Sequence, residues 1–160
     1  TAEGLQPGMI TESTIYANMD KKLWKILSFS SEQGTAHESA ANAIDGNPST
    51  IWHTQYKPEE VPYPHEIVVD MGKMYNVAKF IYTPRIDTNT GWIKNCEIYF
   101  SNDPTNWGEP VCKEAFEADA SEKTVTLPRV VKARYFRFVA KSEAFGRNYA
   151  SVAEFDIIAK

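Results

Sequence analysis

The densest run of chemistry-bearing residues reads Asn42-Ala-Ile-Asp45-Gly46-Asn47-Pro48-Ser49-Thr50-Ile51-Trp52-His53. Asp45, Asn47 and Thr50 put hard oxygen donors into one tight turn, and Gly46 and Pro48 force the chain round so that backbone carbonyls also aim inward. A calcium ion asks for this kind of set, six to eight oxygens at about 2.3–2.6 Å. No EF-hand is present, because no flanking helix and no terminal glutamate stand at the right offset. Two readings of the turn stand side by side: a cation site and a solvated Asp-Gly turn.

A second group is scattered between apolar segments: His53, Tyr56, Arg85, Asp87, Asn89 and Tyr149. An aromatic face stacks on the apolar C–H face of a pyranose, while guanidinium, imidazole and amide groups hydrogen-bond its hydroxyls. Each residue also has a plain reading. Arg85 after Pro84 reads equally as a surface cation, and His53 beside Trp52 as a packed histidine. Their placement in loops predicts that substituting them spares the fold.

Catalytic sets do not assemble, so the chain does not read as an enzyme. His37, His53 and His65 lack zinc-type spacing, and neither a His-Glu-x-x-His nor a Gly-x-Ser-x-Gly motif occurs. With 8 glycines in the chain, no phosphate-binding glycine loop forms. Glu59 and Glu60 lie in a proline-rich loop, where chance adjacency accounts for them.

The elements that must position these residues are short. Apolar stretches of about 4–8 residues recur at residues 24–29, 65–71, 79–83, 96–100, 123–127, 135–140 and 152–158, punctuated by turns such as Ser101-Asn102-Asp103-Pro104. Helix is limited to a turn or two within residues 36–44 by Asn42, Gly46 and Pro48. The pattern predicts an all-β sandwich or jelly roll of about eight strands in one domain over residues 22–160, with residues 1–21 as a leader packing on it. Pairing Ser101 with Pro110 would set Tyr99 opposite Cys112 and leave Cys96 too far away for a disulfide. Both cysteines then read as small buried hydrophobes.

Composition bounds the partners. The 160 residues carry 17 Lys plus Arg against 21 Asp plus Glu, a formal charge of −4, which argues against nucleic-acid binding by phosphate neutralisation. No stretch approaches the roughly 18–20 apolar residues of a membrane span. The chain opens at Thr1 without a basic-then-apolar leader and reads as a segment of a longer, multidomain protein.

Ala43-Ile-Asp-Gly-Asn-Pro-Ser-Thr-Ile-Trp-His-Thr54 resembles the signature of the factor V/VIII type C, or discoidin-like, domains, and most of all that of the family 32 carbohydrate-binding modules. Other segments agree in order: Pro64-His-Glu-Ile-Val-Val-Asp-Met-Gly72, Thr83-Pro-Arg85, Gly91-Trp-Ile, Asn106-Trp-Gly108, Ala133-Arg-Tyr-Phe-Arg-Phe-Val139 and Ala153-Glu-Phe155. The chain is similar to the galactose-binding domains of galactose oxidase and bacterial sialidases. The resemblance implies a galactose-binding-like jelly roll and a non-catalytic module that recognises terminal galactose or N-acetylgalactosamine. It implies structural calcium held by the carbonyls of Asn42 and Ala153, by Asp45, Asn47 and Thr50, and by the carboxylate of Glu154. The sugar site it implies falls on His53, Tyr56, Arg85 and Tyr149, with Asn89 or Thr90 at the glycine-preceding corner. It also implies an extracellular, cell-surface or periplasmic setting. Relatives on the same fold bind phospholipid surfaces or proteins instead. The polar, proline-rich loops at residues 53–65 and 85–92 do not fit a membrane-inserting tip.

Overall fold

The computed structural model describes residues 20–160. The leader expected over residues 1–21 lies outside the described residues except for Asp20 and Lys21. The described residues fold as a jelly-roll β-sandwich of eight strands: β1 (Lys25–Phe29), β2 (Trp52–His53), β3 (His65–Thr83), β4 (Asn95–Ser101), β5 (Cys112–Ala115), β6 (Lys123–Ala140), β7 (Ser151–Val152) and β8 (Glu154–Ala159). The only helical turns among the described residues are 3-10 segments at Gly34–Ala36 and Ala40–Ile44.

Two pairs of stretches expected as separate strands are each joined. Residues 65–71 and 79–83 form the single β3, and residues 123–127 and 135–140 form the single β6. The two long strands run antiparallel along their length, with shifts of register after Asp70 and after Val77. The first half of β3 pairs with β1 and the second half with β8. Gly72 sits at the first irregularity with φ +85°, and a Cβ there would lie 2.5 Å from that of Leu23, so the bend requires glycine.

The bend lets the two halves of the ladder face each other. Phe80 pairs in register with Val125, yet its ring lies 5.1 Å from Phe136 and 5.8 Å from Phe138, which belong to the other half of β6. Phe155 of β8 closes the cluster at 5.4 Å from Phe80. All four rings are essentially fully buried. Replacing any one with alanine should cost about 3–5 kcal/mol.

Strand register also gathers the loops at one end. His65 opens β3 and Cys96 lies near the start of β4, and both pair with Ala140 at the end of β6. The segments before β3, between β3 and β4, and after β6 therefore emerge together. The small β2–β7 ladder, with His53 opposite Ser151, ties them down.

The β4–β5 hairpin is one residue out of the expected register: Ile98, not Tyr99, stands opposite Cys112. Val111 donates its N–H to Ile98 O at 2.8 Å and sets that alignment. Both cysteines are free thiols, Cys96 buried and Cys112 half-buried.

Candidate functional site

Three rings meet at the loop end. His53 lies 4.8 Å from Tyr56 and 5.5 Å from Tyr149, centroid to centroid, and the two tyrosines are 6.3 Å apart. His53, expected from sequence to lie in a loop, does not. It sits on β2 and is 2% exposed. Its backbone N–H donates to Glu38 O and its carbonyl accepts from Gln33 N–H, so one edge of this short strand is held by the 33–38 segment and the other by β7. Its Nδ1 lies 2.6 Å from Thr54 O, so Nδ1 carries the hydrogen and Nε2 is left as an acceptor. Burial lowers the imidazole pKa below its ordinary value, outweighing the opposite pull of the Thr54 carbonyl. The ring is neutral at pH 7.

Arg85 follows the end of β3 by way of Pro84. Its Nε and Nη2 donate to the two carboxylate oxygens of Asp87 at 2.8 and 2.9 Å, a bidentate pair that fixes the guanidinium plane. The Arg85 side chain is only 12% exposed. The Asp87 bond raises the Arg85 pKa, and the same bond holds the Asp87 carboxyl below the usual range. The Arg85 carbonyl accepts from Trp92 Nε1 at 2.9 Å, which braces the loop from behind.

Several residues that hold the site in place were not singled out in the sequence, or were set aside there. Glu38 accepts from Tyr56 Oη at 3.1 Å. Glu60, dismissed as an adjacent acid in a proline-rich loop, accepts from Tyr149 Oη at 2.9 Å and from Asn148 Nδ2 at 3.1 Å. That bond raises the Tyr149 pKa. Glu143, with a fully buried side chain, accepts from the N–H groups of Gly91 and Arg147 and from Arg147 Nε, all at 2.8 Å. It thus staples the loop after β3 to the loop after β6. The i, i+4 spacing of Glu143 and Arg147 was the one local signal for it. Gly91 has φ +85°, and a Cβ there would lie 2.6 Å from Ser151 Oγ, so glycine is needed where this loop crosses β7.

Asn89 and Thr90 do not converge on the rings in the same way. Asn89 Oδ1 accepts from Arg147 Nη2 at 3.0 Å, and that guanidinium in turn lies over Tyr149 at 5.8 Å. The Thr90 hydroxyl is bonded to that of Thr88 at 2.9 Å. Asn89 therefore reaches the ring cluster through Arg147, while Thr90 turns back into its own loop.

The expected cation ligands lie around a second centre. Asp45 Oδ1 accepts from Asn47 N–H at 2.9 Å and Oδ2 from Thr50 Oγ1 at 2.5 Å. Gly46 N–H donates to Glu154 Oε2 at 2.8 Å, which brings the first and last thirds of the chain together. Asn42 turns its amide to the carbonyls of His37 and Ile51 and is left with its own carbonyl as the expected ligand. Lys21 Nζ contacts Glu154 Oε2, Phe155 O at 3.0 Å and Asp156 Oδ1 at 3.1 Å. Burial pushes the Glu154 carboxyl up to about 7, against the pull of Lys21. Glu154 Oε1 is buried with no hydrogen-bond partner among the described residues. One ammonium faces a buried and a half-buried carboxylate there, and the orphaned oxygen and oxygen-only donor set fit a hard cation. Among the described residues no cluster of three or more His, Cys, Asp or Glu forms a metal site by itself, so any cation here would lean on carbonyl and hydroxyl oxygens.

The F5/8 type C domain family model matches residues 25–155. The sialidase of Micromonospora viridifaciens is 37% identical over 142 residues, covering 87% of this chain and 22% of that protein. A galactose oxidase of Gibberella zeae is 38% identical over 136 residues, covering 84% of this chain and 19% of that protein. The chain thus spans about a fifth of the length of these relatives. Among solved structures, the Clostridium perfringens module CpGH89CBM32-5, in complex with GalNAc-beta-1,3-galactose, superposes with a TM-score of 0.79 at 30% identity, covering 87% of this chain and 97% of that one. The family 32 carbohydrate-binding module of C. perfringens NanJ, in complex with galactose, gives 0.74 at 29% identity, covering 86% of this chain and 94% of that one.

Proposed function

The chain belongs to the F5/8 type C domain family, as a non-catalytic module of the family 32 carbohydrate-binding kind, and on that footing we propose that it binds terminal galactose- or N-acetylgalactosamine-type sugars at the loop end. The observation that carries this reading is the convergence of the His53, Tyr56 and Tyr149 rings beside a guanidinium locked by Asp87. Tyr149 offers a half-exposed aromatic face to the apolar side of a pyranose. His53 Nε2 accepts a hydroxyl hydrogen, and Arg85 Nη1, which no other described group claims, donates one. Pre-set side chains lose little entropy on binding, yet a single pyranose in a shallow site gains only about 4–5.5 kcal/mol, a Kd of roughly 0.1–1 mM.

In this reading a structural calcium joins the turn at Asp45, Asn47 and Thr50, with the Asn42 carbonyl, to the Ala153 carbonyl and Glu154. When bound, the ion supplies positive charge that satisfies the buried Glu154 oxygen. The longer protein to which the module belongs acts on glycans in this reading, outside the cytoplasm.

Titration of galactose and N-acetylgalactosamine by calorimetry, with glucose as control, tests the proposal. Saturable heats for the first two and none for glucose support it. No heat for either galactose-type sugar at 10 mM overturns it, because that is about ten times the weakest Kd expected.

A lipid-surface reading draws on the exposed side chains of Ile86 and Phe145 at the same end. Glu38, Glu60 and Asp87 lie at that end against Arg85 and Arg147, and Asp87 pairs with Arg85, so no free basic cluster is presented to an anionic bilayer. Sedimentation with phosphatidylserine vesicles separates the two readings.

A further inference from the structure

We propose that the cleft bordered by Glu38 and Arg85, beside the ring cluster, is a second sugar position, taking the neutral hexose linked to a terminal galactose-type residue. The proposal rests on the sugar-binding reading above. The cleft has a volume of about 410 Å³, within the range of small-molecule sites, and is walled by His37, Glu38, Ser49, Arg85, Ile86 and Asp87. His53, Tyr56 and Tyr149 take no part in it. Glu38, which accepts from the Tyr56 hydroxyl, and Arg85, close enough to act on the charges of His53 and Tyr56, therefore border both the ring cluster and the cleft.

Both shared groups have capacity left over. Glu38 meets the Tyr56 hydroxyl through Oε1, which leaves Oε2 as an acceptor. Arg85 spends Nε and Nη2 on Asp87, and of the two Nη1 hydrogens one serves the terminal sugar and the other is left as a donor. A hexose in the cleft needs just this pairing of an acceptor and a donor from neighbouring walls.

The backbone and the apolar lip point the same way. His37 is the only non-glycine residue with positive φ among the described residues, at 61°. Its N–H bonds Gly34 O at 3.0 Å and its carbonyl accepts from Asn42 Nδ2 at 2.9 Å, so neighbouring groups hold it in this uncommon conformation. Ile86 is 80% exposed between Arg85 and Asp87 and buries little of its side chain in the free domain. With Pro48 it forms an apolar rim suited to the C–H face of a sugar ring. Two carboxylates, Glu38 and Asp87, stand here against one guanidinium, so an anionic sugar is disfavoured and a neutral one is taken.

The test compares galactose with a panel of galactose-terminated disaccharides of different linkage by calorimetry. The wild-type domain and the variants Ile86→Ala and Ser49→Trp are each measured. Both positions are exposed, so neither change disturbs the core. In the wild type at least one linkage should bind about tenfold tighter than galactose. Ser49→Trp should erase that advantage by filling the cleft, and Ile86→Ala should reduce it, while galactose affinity stays unchanged in both. The same disaccharide with a sialyl group on its second sugar should lose the advantage in the wild type.

The proposal is overturned if no linkage exceeds galactose, or if the advantage survives Ser49→Trp. It is also overturned if the advantage falls instead with Phe145→Ala, which would place the second sugar on the loop after β6. Failure of galactose itself to bind the wild type is a different result, which removes the underlying reading as well.

Discussion

Replacing His53 with alanine should damage both sugar binding and the fold, in contrast with Tyr149→Ala, which should damage binding almost alone. His53 is buried against two tyrosines, and its Nδ1 bonds the carbonyl of the equally buried Thr54. Losing that donor leaves a buried acceptor unpaired, at about 1–3 kcal/mol. Losing the ring contacts adds about 1 kcal/mol. A total of about 2–4 kcal/mol lowers Tm by about 5–12 °C for a chain of this size. Tyr149 is half-exposed, and its hydroxyl bonds Glu60 at the surface, so its removal should cost about 1 kcal/mol and shift Tm by about 2–4 °C. Thermal melts by differential scanning calorimetry give the first quantity, and galactose titration well below each Tm gives the second. His53→Gln, which keeps an amide donor near Thr54 O, should recover part of the stability but not the binding. The reasoning is refuted if His53→Ala melts no lower than Tyr149→Ala, or if it binds galactose as the wild type does.

Calcium at about one hundred times its Kd should stabilise the domain by about 2.7 kcal/mol, seen as a rise in Tm that chelator reverses and Asp45→Ala abolishes. An unchanged melting curve, together with no calcium by elemental analysis, removes the cation site. Glu143→Gln weakens the staple between the loops after β3 and β6, so it should lower Tm by about 3–10 °C and weaken galactose binding in parallel. Unchanged galactose affinity in a destabilised Glu143→Gln domain would show that the staple does not position the site. Burial lowers the His53 pKa, so the neutral ring that accepts through Nε2 persists on the acid side of the ordinary histidine value. The folding stability that comes with a neutral buried His53 is likewise complete above that value and is lost as pH falls through the lowered one. Galactose affinity measured from pH 8 down should therefore reach half its plateau only below about 6.5, and a midpoint at or above that pH contradicts the assignment.

Local chemistry made much of the molecule legible without coordinates. Alternation at residues 123–127 marks Val125 and Leu127 as core, and both are buried. The Asp45-Gly46-Asn47-Pro48 run must turn because Gly46 and Pro48 leave it little else, and its oxygen donors do close on one another. His53, Tyr56 and Tyr149 are named by type and motif, and they meet. Other features depended on partners far away in the chain, and no period or short motif encodes those. That β3 and β6 each run through two layers follows from a bend at Gly72 pressed on Leu23, and from Phe80 reaching Phe136 across the core. The burial of His53 follows from its pairing with Ser151 and its contact with Tyr149, both about a hundred positions later in the chain. Glu60 and Glu143 look like ordinary surface acids in sequence. They became parts of the site only when Tyr149 and Gly91 were brought to them, because a hydrogen bond depends on distance in space and not on separation along the chain.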